Sequence, residues 1–210
     1  MSGCSPRCPD RQGLWRQTLP LAVLLVAAGC AAPKSALLPD IGTWESRNSV
    51  LARLDAWEFS GRIAVRTGDD GFNGKLRYAQ DRRGFEATVS GPLGIGTVRL
   101  EGDGRSVILT DKDGVRTELE DAELELRYRY GWTIPVASLR FWALGIPDPA
   151  EPAETVFDEA GQLEQLRQRG WRVDITRYGE GGGQRMPSRL TAENSDTRVK
   201  LVIDHWIFFD

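Results

Sequence analysis

The chain has 210 residues, with 27 Lys and Arg against 30 Asp and Glu for a net charge of −3, 40% hydrophobic residues, three cysteines and one histidine. An acidic balance argues against a nucleic-acid surface, and one histidine excludes a His-Glu-x-x-His metal motif. A phosphate loop is excluded too, because Gly74-Lys75 is followed by Leu76 and the position five before Gly74 is Asp69.

The first element is an export signal: Arg7, Arg11 and Arg16 precede an apolar run from Leu19 to Ala28 that ends in small residues. The run is too short for a membrane span, which takes about 20 apolar residues. Ala27-Ala28-Gly29-Cys30 resembles a lipobox, with Ala27 where Leu is usual. Residues 1–29 are then a cleaved lipoprotein signal, and Cys30 carries a diacylglyceryl thioether as the new N-terminus. One acyl chain at ~0.8 kcal/mol per buried methylene anchors only marginally, whereas two or three hold permanently. Ala31 stands where Asp would mark retention in the inner membrane, so the outer membrane is the expected address. Cys4 and Cys8 leave with the signal and Cys30 is consumed by lipid, so no disulfide or Cys/His zinc site remains. Beyond residue 29 the charge is 24 basic (27 less Arg7, Arg11 and Arg16) against 29 acidic (30 less Asp10).

Residues 30–42 read as the lipidated N-terminus and a tether, and residues 43–210 as one domain. Val50, Leu51, Leu54 and Trp57 share the spacing of one helical face. Trp57, Phe59, Gly61, Ile63 and Val65 then alternate with mainly polar residues, a strand with one buried face. Further strands are expected at Phe72 to Gln80, Gly84 to Gly91, Ile95 to Glu101, Arg105 to Thr110 and Val115 to Glu120, between Gly and Asp turns. Asp121 to Tyr130 is helix-like, and Pro135 to Gly145 has Pro at a helix start and Gly just past its end. Strands resume at Thr155 to Phe157, Leu163 to Arg167, Trp171 to Tyr178, Arg189 to Glu193 and Arg198 to Phe208. About eleven antiparallel strands with three helices predict a mainly β fold curling towards a barrel.

Two interiors fit this pattern. Trp57, Phe59, Phe85, Val89, Trp171 and Trp206 either fill an ordinary core or leave an apolar cavity under the central helices. Leu93 is oddly placed, because Gly91-Pro92-Leu93-Gly94 is a turn that sets a leucine facing water. His205, the one base available to a Ser-His-Asp site, lies in a strand-like run where an ordinary sheet residue is expected.

Trp57 to Val65 (WEFSGRIAV), Gly91 to Gly96 (GPLGIG), Gly131 to Pro135 (GWTIP), Leu139 to Gly145 (LRFWALG), Gln168 to Val173 (QRGWRV) and Val199 to Trp206 (VKLVIDHW) resemble, in order and spacing, the outer-membrane lipoprotein receptor family LolB. The departures are Ala27 and the long cysteine-bearing segment before Arg11. The resemblance implies an incompletely closed, eleven-stranded LolA/LolB-like barrel whose helices cap an apolar cavity. It implies a non-enzymatic monomer without cofactor or metal, lipid-anchored on the periplasmic face of the outer membrane. Such a receptor accepts acylated cargo lipoproteins from the periplasmic carrier LolA and places them in the inner leaflet of that membrane without ATP. It also implies a membrane-insertion loop at Pro92, Leu93 and Gly94.

Strand faces and the capping helices nominate Phe59, Ile63, Val65, Leu76, Tyr78, Phe85, Val89, Leu139, Trp142, Trp171 and Val173 as acyl-binding residues. Arg62, Arg66, Arg77 and Arg99 are candidates for steering a partner. The alternatives are a structural lipoprotein with a filled core and a lipid-modifying enzyme that uses His205.

Overall fold

The computed structural model describes residues 35–91, 96–103, 106–130 and 135–209. Its strands are β1 (Trp57–Thr67), β2 (Asp70–Asp81), β3 (Gly84–Ser90), β4 (Thr97–Gly102), β5 (Val107–Thr110) and β6 (Arg116–Leu119), then β7 (Glu154–Phe157), β8 (Leu163–Gln168), β9 (Trp171–Gly181), β10 (Gln184–Glu193) and β11 (Thr197–Phe208). Helices α1 (Trp44–Leu51), α2 (Ala122–Tyr130) and α3 (Val136–Leu144) complete the described elements. All eleven strands form one antiparallel sheet in the order β6-β5-β4-β3-β2-β1-β11-β10-β9-β8-β7. It is two meanders joined where the first strand pairs with the last. β6 and β7 stay unpaired with each other, so the sheet is open, and α2 and α3 lie between them in the chain. The expected mainly β, incompletely closed architecture is the one observed.

Short polar side chains set the turns. Asp81 Oδ1 accepts from the amides of Arg83 and Gly84 between β2 and β3, and Asp111 Oδ1 from those of Asp113 and Val115 between β5 and β6. Asp158 and Asn194 do the same before β8 and β11. Each replaces a missing ladder bond with one from its own turn, which is why Asx residues start tight reversals. Gly182 and Gly183, with φ of 58° and 74°, join β9 to β10. Two positive angles in succession match the right-handed twist of the flanking strands. That turn lets β10 start at Gln184, five residues before the strand expected from alternation, although Pro187 interrupts its pairing with β9 at an irregularity.

The first helix differs from its expectation. Thr43 caps α1, its Oγ1 accepting from the Ser46 amide at 3.2 Å, and the helix ends at Leu51, so Leu54 lies beyond it and Trp57 opens β1. The stripe at Val50, Leu51, Leu54 and Trp57 therefore joins a helix end to a strand start. Residues 35–42, assigned above to the tether, lie along the sheet. The Ala36 amide donates to Phe208 O and the Leu38 amide to Gly182 O, both at 2.8 Å. Leu38 and Ile41 are buried, with 9% and 4% exposure.

The two halves of the sheet are packed differently. The inner faces of β1, β2 and β8–β11 form a large cluster with α3, in which Trp142, Ala143 and Leu144 are buried. The β4–β6 wing has its own small cluster, Leu109, Leu119 and Leu126, touched by Val136 of α3. Between them every residue of β3 is only half-buried.

Buried polar groups hold α3 to the filled half. Ser138 Oγ donates to Asp148 Oδ2 at 2.8 Å, and Trp142 Nε1 to Gln168 Oε1 at 2.9 Å. Gln168 Nε2 donates in turn to Asp148 O and Glu151 O, both at 2.8 Å. Gly145, at φ 76°, ends the helix in the left-handed conformation that suits glycine.

At Gly61 β1 and β11 meet closely beside a register shift, and an added Cβ would lie 2.0 Å from Val202 O. Gly61→Ala is therefore expected to cost roughly 1–3 kcal/mol, the usual toll of overpacking, and to lower Tm by several degrees in a thermal melt. Leu38→Asp, which loses a buried leucine and buries a carboxylate, is expected to cost roughly 2–4 kcal/mol. Limited proteolysis should then cleave within residues 35–42 faster than in the parent protein.

Candidate functional site

An apolar cavity of about 50 Å³ lies where the lightly packed β3 meets α3. β1 supplies Phe59 and Ile63, β2 Leu76 and Tyr78, and β3 Phe85 and Val89. Leu139 closes it from the helix. Seven of the sequence-nominated acyl-binding residues thus share one wall. Val65, Trp142, Trp171 and Val173 lie outside that wall, buried in the large cluster. The rings of Trp142 and Trp171 meet there at 6.1 Å. Ala87, Leu100, Val136 and Arg140 also line the cavity, and sequence reasoning missed them. The signals were present: Ala87 alternates with Phe85 and Val89, Leu100 pairs with Ala87 across the ladder, and Val136, Leu139 and Arg140 fall at i, i+3 and i+4.

One side of the cavity is a row of aromatic rings running across the sheet. Phe85 stacks on Tyr78 at 5.8 Å, Tyr78 on Phe59 at 5.4 Å, and Phe59 tilts against Trp206 at 5.3 Å. Trp57 stacks on Tyr78 at 5.1 Å. Such pairs contribute about 0.5–1.5 kcal/mol each beyond their area burial, so this wall resists deformation. The Tyr78 hydroxyl donates to Gln80 Oε1 at 3.0 Å, and burial pushes its pKa well above the usual phenol range. It stays neutral, and no charge develops in the ring wall.

Arg140 stands at the edge of the cavity. Its guanidinium lies over the Phe141 ring at 4.4 Å, and its Nε is buried with no hydrogen-bond partner. Arg140, Phe85 and Val136 also line a neighbouring cleft of about 780 Å³ between β3, β4 and the helices. Glu123 of α2 lines this cleft as well. Its Oε2 faces Arg169 at 3.4 Å, its Oε1 is buried without a partner, and burial raises its carboxyl pKa. The cavity is almost wholly apolar, and its neighbouring cleft mixes apolar side chains with charged ones.

A groove of about 980 Å³ on the outer face of β8–β11 is larger, but Arg172 pairs there with Asp174 and Glu193, and Arg198 with Glu193. That charged surface offers nothing to an acyl chain.

The steering candidates are exposed on outer strand faces. Arg62 pairs with Asp204 at 2.9 Å, Arg77 with Glu58, and Arg99 approaches Glu86 at 4.0 Å. Such pairing leaves a weak net field for a partner. Arg66 is exposed on the same face of β1 as Arg62. His205 is exposed where β1 and β11 slip register, paired with Ser60 and off the cavity wall. Cys30, Pro92, Leu93 and Gly94 lie outside the described residues. The strands flanking the last three are in place, with Ser90 paired to Thr97 and their hydroxyls 3.1 Å apart.

A family model described as Outer membrane lipoprotein LolB matches residues 55–206. The outer-membrane lipoprotein LolB of Chromohalobacter salexigens is 32% identical over 193 residues, 91% of this chain and 90% of its own. That of Pseudomonas paraeruginosa is 35% identical over 122 residues, 58% of this chain and 60% of its own. The chain thus spans about 60% of the length of the Pseudomonas relatives it matches. A solved LolA superfamily protein from Nitrosomonas europaea has a TM-score of 0.50 at 10% identity, over 80% of this chain and 94% of its own. A DUF1329 family protein from Desulfovibrio piger has a TM-score of 0.50 at 5% identity, over 77% and 89% respectively. These structural likenesses carry the fold alone. By the match over residues 55–206 and the relative that covers nearly its whole length, the chain belongs to the outer-membrane lipoprotein LolB family.

Proposed function

We propose that the protein is a lipid-anchored receptor on the periplasmic face of the outer membrane. It takes acylated lipoproteins from a LolA carrier and places them in the inner leaflet, working as a monomer and without catalysis. The observation that carries this reading is the apolar cavity between β3 and α3, enclosed by an open sheet. Three acyl chains hold roughly 40 methylenes, and exposing them to water would cost on the order of 30 kcal/mol. The chains must therefore pass from one apolar interior to another, down a gradient of affinity from carrier to receptor to membrane.

At about 50 Å³ the cavity is far too small for three acyl chains. Loading must therefore widen it. The wall that yields is the β4–β6 wing with α2, because α3 is hydrogen-bonded to the filled half and the ring wall, which runs from β11 to Phe85 of β3, is stiff. Lipid on Cys30 holds the receptor at the membrane, and Leu93 gives it an apolar foothold worth about 1.5–3 kcal/mol if buried.

Mixing the purified domain with a LolA carrier loaded with acylated lipoprotein, in the absence of ATP, is expected to move nearly all the cargo to the domain. A folded domain that takes none would favour the structural-lipoprotein reading. Leu93→Glu is expected to leave that acceptance intact while slowing delivery into outer-membrane vesicles by about tenfold or more, the equivalent of losing one buried leucine. Delivery at the parent rate would remove the loop's assigned role.

A further inference from the structure

We propose that the cleft beside the cavity is a binding site for the polar head of the cargo lipid, the ester and amide groups that join acyl chains to the N-terminal cysteine, with Arg140 donating to a carbonyl oxygen there. This rests on the acyl-binding reading and adds to it a site that recognises the linkage as well as the chain.

Three observations converge. Arg140, Phe85 and Val136 border both the apolar cavity and the cleft, so a chain lying in one would place its head in the other. Arg140 Nε is buried with no acceptor, and a buried donor left unsatisfied is costly until something fills it. Asp148 does not fill it, because its Oδ2 accepts from Ser138 and its Oδ1 from the Ala150 amide. Across the same cleft Glu123 Oε1 is buried with no donor.

A site with one unsatisfied donor and one unsatisfied acceptor matches an N-acyl amide, which offers a carbonyl and an N–H, and ester carbonyls can also engage the arginine. A bare hydrocarbon matches neither. Arg140 is therefore a recognition residue that separates acylated cysteine from other apolar molecules of similar length.

The test compares two probes on the compact unit of residues 34–210. One is diphenylhexatriene, a hydrocarbon without ester or amide, and the other a synthetic triacylated lipopeptide. Arg140→Met keeps an unbranched apolar stem as far as the position of Nε and removes the donors. Its affinity for the lipopeptide is expected to fall about tenfold or more relative to its affinity for the hydrocarbon, the usual effect of losing a charged hydrogen bond. Glu123→Met is expected to show the same selectivity with a smaller loss. Equal loss of both probes, or loss of neither, would overturn the proposal. If the parent domain binds neither probe, the acyl-binding reading itself fails, which is a different result from failure of the head site.

Discussion

An open sheet must have its inner face covered, and here the central part of that cover is a nine-residue helix fixed from one side. Ser138, Trp142, Asp148 and Gln168 form a closed set of buried hydrogen bonds in which each donor finds an acceptor. Such a set is worth little beyond an apolar equivalent in net stability, but it strongly penalises any arrangement that breaks it. It fixes where α3 sits, and hence which strands it covers fully and which it only meets at the edge. Arg47 adds to this from α1: it is buried over the Tyr178 ring, with Nη2 3.5 Å from Leu144 O at the end of the helix. Burial lowers the Arg47 pKa from its ordinary value.

The asymmetry of the core follows from that placement. On the fixed side, β8–β11 and β1 close around α3 with buried Leu163, Leu166, Val173 and Leu190. On the other side, β3 is half-exposed throughout, and the β4–β6 wing relies on a small cluster of its own. Elements with few buried apolar contacts open at the lowest free energy. A receptor that must fill and empty gains from concentrating that weakness in one wall, because the rest of the fold need not loosen for cargo to enter.

Much of this was legible in the chain. Alternation in β1 placed Trp57, Phe59, Ile63 and Val65 on the inner face, and Pro135 and Gly145 bracketed α3. What alternation could not resolve was the division of one inner face into cavity and filled core, because Phe59 and Val65 share a strand and a periodicity yet only Phe59 borders the cavity. That division depends on where α3 lies over the sheet. The helix VASLRFWAL is apolar on nearly every side, so no stripe marks Leu139 and Arg140 as cavity-facing and Trp142 as core. The packing of Leu38 and Ile41 was hidden for a related reason: two lone apolar residues in a Pro-bearing stretch have no period to read.

The docking of residues 35–42 changes the geometry of attachment. Only five peptide steps separate Cys30 from Ser35, whose Oγ accepts from the Phe208 amide, so a lipid on that cysteine would leash the domain within about 18 Å of the bilayer. The leash leaves from the end of the sheet where Trp57, Phe208 and Gln80 align, whereas Ser90 and Thr97, which flank the β3–β4 connection, lie level with Lys75 and Arg62, midway along β1. The five steps from Trp57 to Arg62 separate the two levels by about 17 Å along the strand at ~3.3 Å per residue. That separation is about the length of the leash itself, so an anchor on Cys30 would keep the middle of the sheet close to the bilayer at any tilt of the domain. Such an anchor would confine the domain to a thin layer over the membrane and replace a search through the compartment with one across a surface.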